Sequence, residues 1–268
     1  MAAGGATVLA NRAHEGPLAV QRPFFPEGPA VSHVYLLHPP GGIVGGDRLR
    51  VEVRVEGGAH ALLTTPAATK VYRTAAPSAA QESVLSVARG GVLEWLPQET
   101  ILYDGADVSL ATRIHLESGA RFLGLDLLCF GLPASPNAAG FSHGRCRQQL
   151  EVWCDEAPVL LERGRFDGDG PVHRAPWGLA GAPVLGTFVA SPAPAACAAL
   201  LAAIRARADA LPAGELASAT LLGDEDALVC RYVGASAERA RAFLRAAWAD
   251  TRPTLLGRAA TPPRVWAT

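Results

Sequence analysis

Across residues 50–56 the chain alternates strictly, with Val51, Val53 and Val55 apolar and Glu52 and Arg54 charged. A period of two puts the valines on one face and charges of both signs on the other, which defines a half-buried strand. A glycine turn, Gly57-Gly58-Ala59, leads into a second short apolar run at 61–65. The same unit of strand, tight turn and strand returns three times. Residues 82–88, Gly90-Gly91 and 92–96 form a second copy. Residues 112–117, Gly119-Ala120 and 122–126 form a third, and 149–153, Glu156-Ala157 and 159–162 a degraded fourth. The turns recur about every 30 residues, as stacked β units would require. Regular hairpins in a sandwich would give a similar spacing, so the repeat predicts an all-β body and leaves both arrangements open.

Two segments break this pattern. Residues 194–211 are rich in Ala and Leu and predict a helix, with Asp209 and Pro212 near its end. Residues 236–250 predict a second. Ser236 can cap it, and Glu238 in its first turn suits the helix dipole. Ala240, Phe243, Leu244, Ala247 and Trp248 form one apolar stripe, which packs on the β core, and Pro253 follows the expected stop. Residues 217–222 and 227–233 read as strands, and 167–181 as a long loop rich in Gly and Pro. No linker divides the chain, so one domain is expected over 1–268.

Composition narrows the function classes. The chain has 268 residues, enough to build a core without staples. Its net charge of −1 provides no basic field, which argues against a nucleic-acid partner. Only 18% of residues are charged and 49% are hydrophobic, which suggests that another protein covers part of the surface. No apolar run approaches the roughly 18 residues of a membrane span, and the first residues do not read as a secretory signal. The five cysteines, Cys129, Cys146, Cys154, Cys197 and Cys230, form no CxxC pair. A reducing cytoplasm with buried thiols is therefore expected.

Three motifs could carry chemistry. The run His38-Pro-Pro-Gly-Gly-Ile-Val-Gly-Gly-Asp47 resembles a phosphate loop only superficially. It leads into a strand instead of a helix, with no Lys, Ser or Thr directly after it. Asp47 either satisfies local N–H groups or draws a divalent cation into a polar cleft. Residues 63–73 gather Thr64, Thr65, Thr69, Lys70 and Arg73, as a turn with polar residues or as a polar lining for water or an ion. Lys70 is the only lysine of the chain. Residues 93–104 contain Glu94, Glu99 and Asp104. Paired carboxylates could serve acid–base chemistry, as in a carbohydrate-active enzyme, with Trp95 and Tyr103 as sparse aromatic platforms. A generic β interaction module is the third possibility. The seven histidines show no helical i, i+4 pair, so a closed metal site is not indicated.

The order of these segments, with Glu94-Trp-Leu-Pro-Gln-Glu-Thr-Ile101, residues 123–135 and the closing Pro263-Arg-Val-Trp-Ala-Thr268, resembles the UreD (UreH) family of urease accessory proteins. The likeness spans most of the chain. It implies a mainly β, irregular solenoid of stacked sheets with two helices in the C-terminal half, and no enzymatic activity. It also implies partners: UreF, the GTPase UreG and the urease subunits, with nickel held transiently and no stable cofactor. An internal passage for nickel is implied too. Asp47, Thr69, Lys70, Tyr72, Arg73, Trp95, Pro97, Glu99 and Thr100 match family motif positions. Candidate lining residues are Asp47, Thr69, Lys70, Tyr72, Arg73, Glu99 and Asp126. Three positions depart from the family pattern: Leu132 replaces a common Arg, Asp126 a common Glu and Val71 a common Phe.

Overall fold

The computed structural model describes residues 1–75, 77–134, 140–194, 197–223 and 226–267. In chain order the strands are β1 (Ala2–Ala3), β2 (Ala6–Thr7), β3 (Ala19–Val20), β4 (Val31–Leu37), β5 (Arg48–Val55) and β6 (His60–Thr64). There follow β7 (Thr69–Val71), β8 (Ala79–Val87), β9 (Val92–Trp95), β10 (Thr100–Leu102), β11 (Asp107–Leu116) and β12 (Arg121–Phe130). After β13 (Arg145–Cys154) and β14 (Ala157–Asp167) come the short helix α1 (Pro171–Arg174) and β15 (Val184–Ser191). Helix α2 (Cys197–Asp209), β16 (Leu216–Leu222), β17 (Ala227–Gly234), helix α3 (Ala237–Leu256) and a 3-10 segment (Arg264–Ala267) complete the described chain.

The two strands of a repeat do not pair with each other. Each pairs in parallel with its equivalent in the next repeat. Val53 lies beside Leu85, Leu85 beside Ile114 and Ile114 beside Val152 in a five-stranded sheet ordered β14-β13-β11-β8-β5. His60 lies beside Val92, and Val92 beside Arg121, in a ten-stranded sheet. The chain therefore crosses between sheets at each glycine turn, which settles the repeat as a solenoid. The turns themselves stack. The Gly58 amide donates to the Gly90 carbonyl at 3.2 Å, and the Gly90 amide to the Gly119 carbonyl at 3.0 Å. All three glycines have φ between 73° and 87°, which side chains disfavour. The fourth repeat departs: β13 and β14 form an antiparallel hairpin through Asp155 and Glu156, both at positive φ.

The sheet faces set the layers. Val55, Leu85, Leu116 and Val152 of one sheet meet Leu63, Leu93, Trp95 and Phe122 of the other across the solenoid interior. The outer face of the ten-stranded sheet, with Leu62, Leu123, Leu125 and Leu127, is roofed by α2 and α3. Strand β12 is consequently buried on both faces and reads as a nearly continuous apolar run. Beyond β12, strands β15, β17 and β16 extend the sheet antiparallel, and α3 packs over β12, β15 and β17.

Helix α3 begins as expected, with the Ser236 hydroxyl accepting from the Arg239 amide at 3.2 Å. Its stripe of Ala240, Phe243, Leu244, Ala247 and Trp248 is buried. It ends later than expected, at Leu256. Pro253 sits inside the last turn, and Gly257 closes the helix at φ 66°. Buried anchors at Thr251 and Arg252 hold the helix through the proline. Of the helix expected over 194–211, Ala195 and Ala196 lie outside the described residues and α2 covers Cys197–Asp209. The expected loop at 167–181 carries the four-residue helix α1 after β14.

Candidate functional site

The solenoid interior is not uniformly apolar. A cavity of about 440 Å³ lies between the two sheets. Gln81, Ser83 and Thr112 border it from one sheet and Thr69, Thr100 and Asp126 from the other, beside Trp95, Phe122 and Leu150. Gly124 keeps part of it open: a Cβ there would sit 2.3 Å from the Phe122 ring.

Asp126 is the one Asp or Glu on the described lining. Burial pushes its carboxyl up to about 6, against a hydrogen bond from Gln148 and with help from the Glu162 charge. Gln148 Nε2 donates to Asp126 Oδ2 at 2.6 Å. At neutral pH this is a mostly ionised carboxylate in a mainly apolar cavity with scattered hydroxyls and amides. Such oxygen donors suit a hydrated divalent cation held weakly. Among the described residues no cluster of three or more His, Cys, Asp or Glu could grip a metal tightly.

The expected lining residues separate. Thr69, Lys70 and Asp126 border the cavity. The register pairs Lys70 with Ile101, on the face of β7 opposite Thr69. Asp47 lies in the turn before β5, where its Oδ2 accepts from the Val44 amide at 2.9 Å, the local role expected of an Asp in a turn. Tyr72 is packed over Gly42 and beside Tyr103, with ring centroids 5.0 Å apart. Arg73 is exposed along Gly105. Glu99 accepts from Arg241 Nη1 through both oxygens, at 2.6 and 2.7 Å. It borders a second groove of about 500 Å³ between the 66–68 loop, α3 and the 3-10 segment. Cavity and groove share Pro66, Ala67, Ala68 and Gln98.

The three carboxylates weighed for hydrolysis do not form a set. Glu94 is fully buried beneath α3, bonded to His60, Trp248 and Arg252. Glu99 faces Arg241. Asp104 Oδ1 accepts from the amides of Ser142 and His143 at 2.8 and 2.7 Å, which holds its carboxyl below the ordinary value. Each is satisfied by a different structural partner.

Several site residues escaped the sequence reading. Ser83 and Gln148 are polar at inward positions, flanked on their own faces by Leu85 and by Cys146 and Leu150. That break in the alternation is the signal that could have revealed them. Arg241 and Arg245 left no such signal, because they lie on the polar side of a helix. Trp266, in the closing motif, donates from Nε1 to Thr64 Oγ1 at 3.0 Å; Thr268 and Ser135 lie outside the described residues.

The structure defines a β-solenoid protein roofed by helices around a partly polar interior cavity. Comparison with known proteins then specifies the family. The sequence model of the UreD urease accessory protein matches residues 1–267. The chain is 43% identical to the urease accessory protein UreD of Alkalilimnicola ehrlichii over 99% of this chain and 88% of that one. It is 44% identical to the proteins of the same name from an Azoarcus species and from Pseudomonas putida, over 99% of this chain and 90% of each. The chain belongs to the UreD urease accessory protein family, as its motifs suggested. It is a urease maturation factor and not an enzyme. Among the described residues no helix is long and apolar enough to cross a membrane.

Proposed function

We propose that this chain holds apo-urease together with UreF and UreG in the cytoplasm, as one domain over 1–268, and passes nickel through its interior cavity towards the urease active site. The observation that carries this reading is the ionisable Asp126 in a chamber where the strand pattern calls for apolar side chains. One carboxylate with hydroxyl and amide neighbours gives a dication a resting point without a trap, as passage requires. Thr69 and Lys70 border the same route.

The test is complementation in cells that lack their own copy, read as nickel bound per urease. The wild-type chain restores nickel loading, and Asp126→Asn lowers it without loss of the folded protein. A wild-type chain that fails to restore urease sinks the scaffold reading. Normal loading by Asp126→Asn sinks the cavity route alone. Asp47→Ala and Glu99→Ala serve as comparison variants outside the chamber.

A further inference from the structure

The groove beside the cavity holds a cation, Arg245, with no ion-pair partner among the described residues. Arg245 Nη2 donates to Gln98 Oε1 at 2.9 Å, and the guanidinium lies 3.9 Å over the Trp266 ring. Its Nε is buried and has no hydrogen-bond partner among the described residues. The nearby carboxylate, Glu99, is engaged through both oxygens by Arg241. No carboxylate among the described residues forms an ion pair with Arg245. Burial, and then the neighbouring Arg241 charge, lower the Arg245 guanidinium to about 10, against the Glu99 charge. A half-buried guanidinium with a buried, unpaired Nε–H is an unsatisfied group that native structures normally complete.

We infer that this groove receives a single carboxylate from a protein partner, bound by the Arg245 guanidinium next to the interior cavity. A carboxylate matches the planar fork of donors. The surrounding wall of Ala67, Ala68, Ala242 and Val265 would bury the methylenes and backbone of an acidic segment. A free inorganic anion gains nothing from such a wall. Exposed Glu238 on the same groove disfavours multiply charged ligands, phosphates included. The shared wall of Pro66, Ala67, Ala68 and Gln98 means that a segment docked here also lies against the chamber. The inference rests on the reading of the chain as an assembly scaffold.

Two variants, with Arg245→Glu for charge reversal, test it by co-purification with the urease assembly in the complementation cells. Arg245→Gln removes the charge. Ala242→Glu, exposed and three residues before Arg245 on the helix, supplies an internal carboxylate to occupy the fork. Each is expected to lower capture at least about tenfold while the melting temperature of Ala242→Glu stays that of wild type. An acid-to-Arg change in the partner is expected to restore capture by Arg245→Glu. Wild-type capture by both Arg245→Gln and Ala242→Glu, or loss that no partner change repairs, overturns the inference. If the wild-type chain neither captures nor restores urease, the scaffold reading fails, and the isolated chain decides the site. There, the Arg245 Nε–H resonance is titrated with a blocked Glu-containing tripeptide, its Gln analogue and sodium acetate. A saturable shift with the Glu peptide only supports the site. No shift, an equal shift with the Gln analogue, or tighter saturation by acetate overturns it.

Discussion

Arg252 and Glu94 meet where neither side chain has any exposure to solvent, with Arg252 Nε 3.1 Å from both carboxylate oxygens. Glu94 also accepts from His60 Nε2 and Trp248 Nε1, each at 2.6 Å. Arg252 Nη2 continues to Glu27 at 2.8 Å, and Glu27 bonds His33 at 2.8 Å. One network thus joins the N-terminal segment, three neighbouring strands and the last turns of α3. It explains why the helix persists through Pro253, since the guanidinium is held from three sides. Replacing Arg252 by Met would strand two buried carboxylates. We expect a loss of roughly 3–5 kcal/mol, measured by urea unfolding. A loss below about 1 kcal/mol would show that the network does not clamp the helix.

The same network sets the acid limit. Burial opposes the ionised form of Glu94, but the His60 hydrogen bond and the Arg252 charge outweigh it and bring the carboxyl below its ordinary 4.5. Glu27 is likewise lowered, against burial, by hydrogen bonds to His33 and Arg252. A depressed folded-state value means that the unfolded chain binds protons first as the pH falls. The stabilisation is therefore complete well above 4.5 and is lost as the pH falls through and below it. Unfolding free energy measured from pH 7 to pH 3 should decline below about pH 4.5 in the wild type. An equally steep decline in Arg252→Met would assign the acid limb to other groups.

Asp126 titrates with the opposite sign. Its folded value is raised from 3.8 to about 6, so the neutral form is favoured in the folded chain. Relative to an uncharged side chain there, Asp126 costs little below pH 3.8 and progressively more as the pH rises through about 6. Asp126→Asn should therefore be more stable than wild type by an amount that grows from pH 4 to pH 7, reaching roughly 2–3 kcal/mol. Thermal melts across that range check it. A pH-independent difference would mean that Asp126 is already hydrated in the chamber.

Local pattern made the solenoid strands legible. The alternation of Val51, Val53 and Val55 and the recurring glycine turns place β5, β6, β8, β9, β11 and β12 close to where they fall. Whether those strands pair within a repeat or between repeats was not legible, since both choices bury the same faces. Strands β7, β10 and β15 were missed because they are short or sit inside runs without alternation. The chamber was half legible. Thr69, Lys70 and Asp126 came from motif likeness, whereas Ser83 and Gln148 are ordinary polar residues until the register turns them inward. Glu94 and Arg252 are 158 positions apart, and no local signal couples them.

Stability and conduction can be separated at Ser83, which is only 2% exposed and borders the chamber. Its neighbours across the sheet are Val51 and Thr112, and Leu85 is next on its own face. Ser83→Leu would extend the apolar face into the open space, where each added methylene buries roughly 0.8 kcal/mol of hydrophobic surface. Because space already exists, the strain of overpacking is small, and stability should hold or rise by about 1 kcal/mol. Passage of a hydrated cation should fall, since the leucine narrows the chamber that Asp126 also borders. Urea unfolding gives the first quantity, and nickel per urease in complemented cells gives the second. A stable variant that no longer loads nickel identifies the chamber as the route, because no loss of fold can account for it. A stable variant that loads nickel normally moves the route out of the solenoid interior.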